Sequence, residues 1–262
     1  MDNINLIFDL DGTIISNGEK LSQAGTRRLC DFSNDYNIIF ASARPVRDML
    51  PLIPSDLHHA TFIGCNGGQV WKNNSFVYSY QIPKGEAVQI ISLLKELRVP
   101  YILDSDWHYS VSEIPHAFHD YLRSLSSLEV SENENMNLGI TKILVLDRVC
   151  QDFLKESLLL RGVSANLHTH TKDQFFDITP MKINKAEALK KLGVNFQSSL
   201  SSGNDFNDFE MLRKSEVSIF VGCRSMFSCA DYYCSMDDLF VVLEEGIRSL
   251  HQKLLETPLQ CR

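Results

Sequence analysis

Two textures alternate along the chain. Short unbroken apolar runs read as buried strands, and stretches where apolar residues return every three or four positions read as amphipathic helices. Ile4, Leu6, Ile7 and Phe8 form the first apolar run. Leu21, Leu29 and Phe32 mark a helix over 21–35, weakened by Gly25, and 37–42 is a second buried strand. A short strand, a Gly-rich turn at Asn66-Gly67-Gly68 and a return strand span 61–71, and 76–81 completes a small β element. Strand and helix in alternation predict an α/β sheet covered by helices.

The texture changes at Pro83. Val88, Ile91, Leu94 and Leu97 predict a helix over 84–98, followed by short strands at 100–104 and 108–112 and a helix over 114–126. Residues 126–138 are polar and read as a solvated loop. A strand at 140–147, a helix at 151–161 closed by Gly162, and strands at 164–170 and 174–178 follow. These two α-β-β-like halves suit an α+β unit with helices on one sheet face, placed at 83–180 as an insertion. The α/β texture returns at Met181. Asn184 with Glu187 gives a capping-box-like start to a helix over 185–192, and Gly193 ends it. A weak strand runs into Gly203, then come a helix with Phe209, Met211 and Leu212, a buried strand at 217–222, a helical turn at 225–230 and a helix at 238–256.

Composition narrows the partners. Among 262 residues, 33 acids face 25 Lys and Arg for a net charge of −8, with no basic run or basic-aromatic patch. That argues against nucleic acid and against an anionic membrane, while a small anionic metabolite needs only a local positive site. No apolar run reaches the roughly 20 residues of a membrane span. The N-terminus opens with Asp2 and its apolar stretch ends in two acids, unlike a signal peptide. Seven scattered cysteines without a Cys-x-x-Cys read as reduced thiols of a cytoplasmic protein. The oligomeric expectation is a monomer or small homo-oligomer.

The candidate chemistry sits at the ends of the apolar runs. Asp9 and Asp11 follow the first strand directly, and two carboxylates there are costly unless they share a cation or a proton. Gly12 lets the backbone turn sharply toward a ligand. In open α/β sheets, ligands bind outside the carboxyl ends of the strands. A lone Asp-x-Asp reads first as a solvated Asp-Gly turn. The full string Asp9-Leu-Asp-Gly-Thr13 arises by chance in a chain this long on the order of 1 time in 300. Ser42 ends the second strand before Pro45, which suits a first helical position; its hydroxyl either caps that helix or joins free backbone N–H groups in an anion site. Lys185 falls in a first helical turn, where the dipole disfavours a cation unless solvent or a facing anion compensates. Asn204, Asp205, Asn207 and Asp208 suit a strand-to-helix turn, and their oxygens equally suit Mg²⁺.

In this order and context, Asp9-Leu-Asp-Gly-Thr13, Ser42-Ala-Arg44, Asn66-Gly-Gly68, Thr179-Pro180 leading to Lys185, and Gly203-Asn-Asp-Phe-Asn-Asp208 resemble the haloacid dehalogenase superfamily of phosphatases. The inserted segment resembles the C2-type cap of its Cof-like, sugar-phosphatase branch. The resemblance implies a Rossmann-like doubly wound core at 1–82 and 181–262 and a substrate-choosing cap at 83–180. It implies a Mg²⁺-dependent phosphatase for small phosphomonoesters, sugar phosphates foremost. Asp9 would be the nucleophile, Asp11 the general acid and base, and Lys185 the cation offsetting Asp9 and phosphate. Mg²⁺ would be held by Asp9, the Asp11 carbonyl and the cluster of Asn204, Asp205 and Asp208. Gly12, Ser42, Ala43, Arg44, Asn66 and Asn207 would contact phosphate or substrate. Asp104, Asp106, Trp107, His108, His168 and His170 are the cap candidates; without further ligands, the two strand histidines read as cap surface or substrate contacts rather than a metal site.

One position departs from the branch pattern Gly-Asp-Gly-x-Asn-Asp: Asn204 stands where its first Asp holds the metal, with Asp205 in place of the next Gly. Three consequences follow in order: the cluster is shifted so that Asp205 or Asp208 supplies the charge, the metal is held loosely, or activity is lost. The last keeps a non-hydrolytic phosphate-ligand binding protein as an alternative, and a phosphomutase through the same intermediate is another.

Overall fold

The structure, a computed structural model, describes residues 4–16, 18–169 and 174–256. In chain order the strands are β1 (Asn5–Phe8), β2 (Asn37–Ala41), β3 (Thr61–Gly64), β4 (Gln69–Lys72), β5 (Ser75–Ser79), β6 (Tyr101–Asp104), β7 (Tyr109–Val111), β8 (Lys142–Val145), β9 (Ala165–Thr169), β10 (Phe176–Pro180), β11 (Ser199–Gly203), β12 (Val217–Val221) and β13 (Tyr232–Cys234). The α-helices are α1 (Gln23–Ser33), α2 (Val46–Met49), α3 (Lys84–Glu96), α4 (Ala117–Leu125), α5 (Glu132–Leu138), α6 (Gln151–Leu160), α7 (Lys185–Lys191), α8 (Phe209–Lys214) and α9 (Leu239–Glu256).

Because side chains alternate along a strand, β1 buries both of its faces against different partners. Leu6 and Phe8 join Phe40, Phe62, Leu200 and Ile219 under Leu29 of α1 and Leu243 and Leu250 of α9. Ile7 joins Ile39 and Ile63 on the opposite face, under Ala186 and Leu189 of α7 and Met211 of α8. The sheet they share has the order β13-β12-β11-β1-β2-β3-β4-β5. Its members from β13 through β3 run parallel, and β4 and β5 continue it as antiparallel edge strands. The fold class is therefore a doubly wound α/β core.

A second, fully antiparallel sheet, β7-β6-β8-β10-β9, is built within residues 101–180. Its Tyr101, Leu103, Ile143, Val145, Phe176 and Ile178 pack beneath α3 and α6. The alternate residues face the other way, where Ile102 and Leu144 meet Leu122 of α4. The main sheet presents the carboxyl ends of β11, β1, β2 and β3 side by side, so that Asn204, Asp9, Ser42 and the Cys65–Gly67 turn follow four adjacent strands.

Several local expectations are corrected. The stretch read as a solvated loop at 126–138 contains α5, whose start is capped by Ser131 and whose Asn135 is fully buried, donating to Leu103 O (2.8 Å) and Ser110 Oγ (3.2 Å). The signal was present: Ser131 followed three residues later by Glu134 is a cap signature. Val88, read as part of the buried stripe of α3, is 53% exposed, and Ala87 and Ile90 take its place inside. Residues 225–230 form turns without helix, and β13 follows where no strand was expected. The helix after Pro45 is one turn long, so its dipole adds little to an anion site at Ser42.

Candidate active site

Asp9 leaves β1 almost fully buried, and three groups converge on its carboxylate. Lys185 Nζ donates to Oδ1 at 2.6 Å, Thr13 Oγ1 donates to Oδ2 at 3.0 Å, and Asn204 Oδ1 stands 3.1 Å from Oδ2. Lys185 has no solvent exposure and also donates to Asp208 Oδ1 at 2.6 Å. Its helix starts where it does because Asn184 accepts from Glu187 N, which sets the lysine in the first turn. Burial opposes its charge, yet Asp208 and Asp9 hold the ammonium above the ordinary lysine range. Burial, and after it the Asp208 carboxylate, push Asp9 up from 3.8 to about 7 against the pull of Lys185.

Asp208 is fully engaged by donors. Besides Lys185, its Oδ2 accepts from Asn204 N (2.9 Å) and Asp205 N (3.0 Å). Gly203 is needed beside it, because a Cβ there would lie 2.5 Å from Asp208 Cγ. Asp205 accepts from Phe206 N at 2.7 Å and caps the short helical turn after it. These two carboxylates therefore serve the lysine and the local backbone, and Asn204 faces the space beside Asp9.

Asn204 Oδ1 lies 3.1 Å from Asp9 Oδ2, 3.1 Å from the Asp11 carbonyl oxygen and 3.3 Å from Thr13 Oγ1. Two arrangements satisfy it: the amide turns so that its nitrogen donates to these oxygens, or a cation sits among them. Ligands at about 2.0–2.1 Å around an octahedral Mg²⁺ stand about 2.9–3.0 Å apart along an edge. Asp9 Oδ2, the Asp11 carbonyl and Asn204 Oδ1 are hard oxygens at nearly that spacing from the amide, so the residues present fit a small hard cation.

Asp11 carries a two-pronged ion pair with Arg44, whose Nε and Nη2 donate to its two oxygens at 2.6 and 2.8 Å. Gly12, with φ at 79°, turns the loop between them. Ser42 Oγ accepts from Arg44 N at 3.1 Å, and the Ala43 carbonyl accepts from Lys142 Nζ at 3.2 Å. Asn66, held at φ 55°, donates to Asp177 Oδ2 and accepts from Asn207 Nδ2, both at 2.9 Å. It thus ties the β3 turn to β10 and to the 204–208 loop.

Over Asp9 opens a cavity of about 810 Å³ between the two sheets. Asp9, Asp11, Ser42, Arg44 and Asn204 form one side of it. Asp104, Lys142 and Asp177 of the second sheet line the other, and Asp48 of α2 lies beside them. Arg47, beneath this wall, pairs with Asp48 (2.7 and 2.8 Å) and Asp104 (2.8 Å), and Lys142 lies 3.3 Å from Asp177 and 3.6 Å from Asp104. Sequence reasoning missed Thr13 as a contact of Asp9, and missed Lys142 and Asp177 altogether. Their signal was a charge inside an otherwise apolar strand pattern, Lys-Ile-Leu-Val at 142–145 and Phe-Asp-Ile at 176–178.

Of the cap candidates, Asp104 lines the cavity. Asp106 accepts from Ser79, Trp107 packs edge-on against Trp71, the His108 carbonyl accepts from Arg47, and His168 bonds Thr179 Oγ1. His170 lies outside the described residues.

Comparison with known proteins places the fold among related chains. YkrA of Bacillus subtilis (strain 168) is 21% identical over 231 residues, covering 85% of this chain and 87% of that one. The crystal structure of TM0651 from Thermotoga maritima superposes with a TM-score of 0.76 at 22% identity, over 93% of this chain and 97% of its own. BT4131, described as a HAD subclass IIB sugar phosphatase, superposes with a TM-score of 0.71 at 21% identity, over 96% and 99%. The family model for haloacid dehalogenase-like hydrolases matches residues 6–227, nearly the whole of the main sheet and everything inserted in it, and the chain belongs to that family.

Proposed function

We propose that the protein is a Mg²⁺-dependent phosphatase that hydrolyses small phosphomonoesters through an aspartyl-phosphate on Asp9. One observation carries the reading: Asp9 stands between a buried lysine and the oxygens of Asn204 and the Asp11 carbonyl, at the floor of a cavity that fits a small ligand. A phosphomonoester dianion repels a carboxylate nucleophile, so positive charge has to be gathered around both first. Lys185 supplies one such charge and holds Asp9 by one oxygen. Asp9, the Asp11 carbonyl and Asn204 would hold Mg²⁺, which when bound would supply further positive charge beside the phosphoryl group. Asp9 attacks phosphorus and the P–O bond to the leaving group breaks. Asp11 hands its proton to the departing oxygen and later takes one from the water that cleaves the acyl phosphate. Phosphoryl oxygens arriving at Ser42 and the 42–44 backbone compete with Asp11 for Arg44, freeing that carboxyl to carry a proton. The segment 83–180 acts as a cap that excludes water and selects the leaving group. The compartment proposed for this activity is the cytoplasm.

With p-nitrophenyl phosphate and Mg²⁺, the wild-type chain should release phosphate, and Asp9→Asn or excess EDTA should each abolish release. Activity retained in either condition rules the mechanism out. A second reading, a phosphate-ligand binding protein without turnover, is favoured by Asn204: with its amide nitrogen turned toward Asp9 and the Asp11 carbonyl, the site is satisfied with no metal. That reading predicts phosphate binding without release in the wild-type chain, and release in Asn204→Asp.

A further inference from the structure

The cavity wall opposite Asp9 changes character with distance from it. On the site-facing side of the second sheet, Asp104 and Lys142 stand opposite each other, Ile102, Leu144 and Asp177 form the next row, and Phe175 lies two positions along the chain from Asp177. Lys142 and Asp177 reach the ends of β2 and β3, since Lys142 Nζ donates to the Ala43 carbonyl and Asn66 donates to Asp177. These charges are already matched: Arg47 holds Asp48 and Asp104, and Lys142 lies between Asp104 and Asp177. The apolar side chains Ile102, Leu144 and Phe175 continue onto α4, where Phe118, Tyr121 and Leu122 line the same cavity. Phe118 sits edge-on to Phe175 at 5.4 Å between ring centres and lies 5.3 Å from Tyr121. All three rings are only half-buried, leaving ring surface toward the cavity. At about 810 Å³ the space lies toward the upper end of small-molecule sites, which run from about 300 to 1,000 Å³.

A polyol phosphate anchored at Asp9 and Ser42 would set its far hydroxyls against Phe118, Phe175 and Leu144, whose side chains offer no hydrogen bond, with the Tyr121 hydroxyl as the polar atom beside them. A flat apolar group would instead meet ring edges and faces and cover them. We infer that the leaving-group side of the cavity takes an aromatic ring, so that the preferred substrates are phosphomonoesters of ring-bearing alcohols rather than of free sugars. This rests on the phosphatase reading and narrows its substrate class.

The test compares benzyl phosphate with glucose 6-phosphate, both esters of primary alcohols, so that leaving-group chemistry is nearly constant, and adds acetyl phosphate as a ring-free reference. With Mg²⁺ present, kcat/KM for benzyl phosphate should exceed that for glucose 6-phosphate by at least about tenfold. In Phe118→Ala and in Phe175→Ala, the ratio of kcat/KM for benzyl phosphate to that for acetyl phosphate should fall about tenfold. A ratio is unaffected by the fraction of variant that folds. Glucose 6-phosphate matching or exceeding benzyl phosphate, or ratios unchanged in both variants, overturns the inference while leaving the phosphatase reading intact. No phosphate release from any of the three overturns both.

Discussion

Replacing Lys185 by Met tests whether the buried cation is what permits Asp9 and Asp208 to be ionised side by side. Nζ lies 2.6 Å from an oxygen of each, with no part of the side chain exposed. At an effective dielectric constant of about 20, each contact is worth about 6 kcal/mol of attraction. Most of that is offset by the cost of burying the ammonium, which the variant no longer bears. What remains is two carboxylates facing an apolar side chain, and breaking a buried pair this way costs about 3–5 kcal/mol. For a chain of this size that corresponds to a fall in Tm of about 6–20 °C. The assay is urea and thermal unfolding of wild type and variant in EDTA, followed by circular dichroism. The deficit has a pH signature. Asp9 is already raised to about 7 by burial and Asp208, so the folded state binds its proton more tightly than the unfolded chain, and stability falls as pH rises from about 4 toward 7. Removing the lysine raises Asp9 further, so the deficit should shrink when the pH is lowered from 8 to 6. Adding Asp9→Asn to Lys185→Met should recover part of the loss by leaving one carboxylate in place of two. A deficit below about 1 kcal/mol, or one that grows on acidification, would refute the view that Lys185 balances this pair.

Other outcomes follow from the same geometry. Asn204→Asp should lower the Mg²⁺ concentration for half-maximal thermal stabilisation by about tenfold, because it adds a charge beside Asp9 Oδ2; isothermal titration provides a second measure. Gly203→Ala should abolish most turnover of p-nitrophenyl phosphate, since the new Cβ would meet Asp208 Cγ at 2.5 Å and displace the partner of Lys185. Asn135→Leu should cost about 1–3 kcal/mol in urea unfolding, because the Leu103 carbonyl loses its buried donor.

Much of this was legible before any coordinates. A run of buried residues followed at once by a polar side chain marks a strand end that faces the cavity, and this holds at Asp9, Ser42 and Asn204. Asn184 and Glu187 likewise located the start of α7 and put Lys185 in its first turn. Where local signals competed, the reading failed. The acids and asparagines of 131–138 suggested solvent, although Ser131 caps a helix whose Asn135 is buried beneath β6 and β7. Val88 had the right spacing for the buried stripe but lies outside the arc that α3 turns inward.

The sequence by itself determined which residues leave strands and open helices, because periodicity and capping are set within a few positions of each other. Only the tertiary structure decided what those residues meet. Lys185 joins Asp9 across 176 positions and Asp208 across 23, and the order β11-β1-β2-β3 puts four strand ends in one row. Asp104, a candidate substrate reader by position, is matched to Arg47, while Lys142 and Asp177 emerge as the wall of the cavity. The physical reason is that local pattern reports which face of an element must be buried. What buries it depends on how distant elements pack, and so does whether a buried charge finds its opposite.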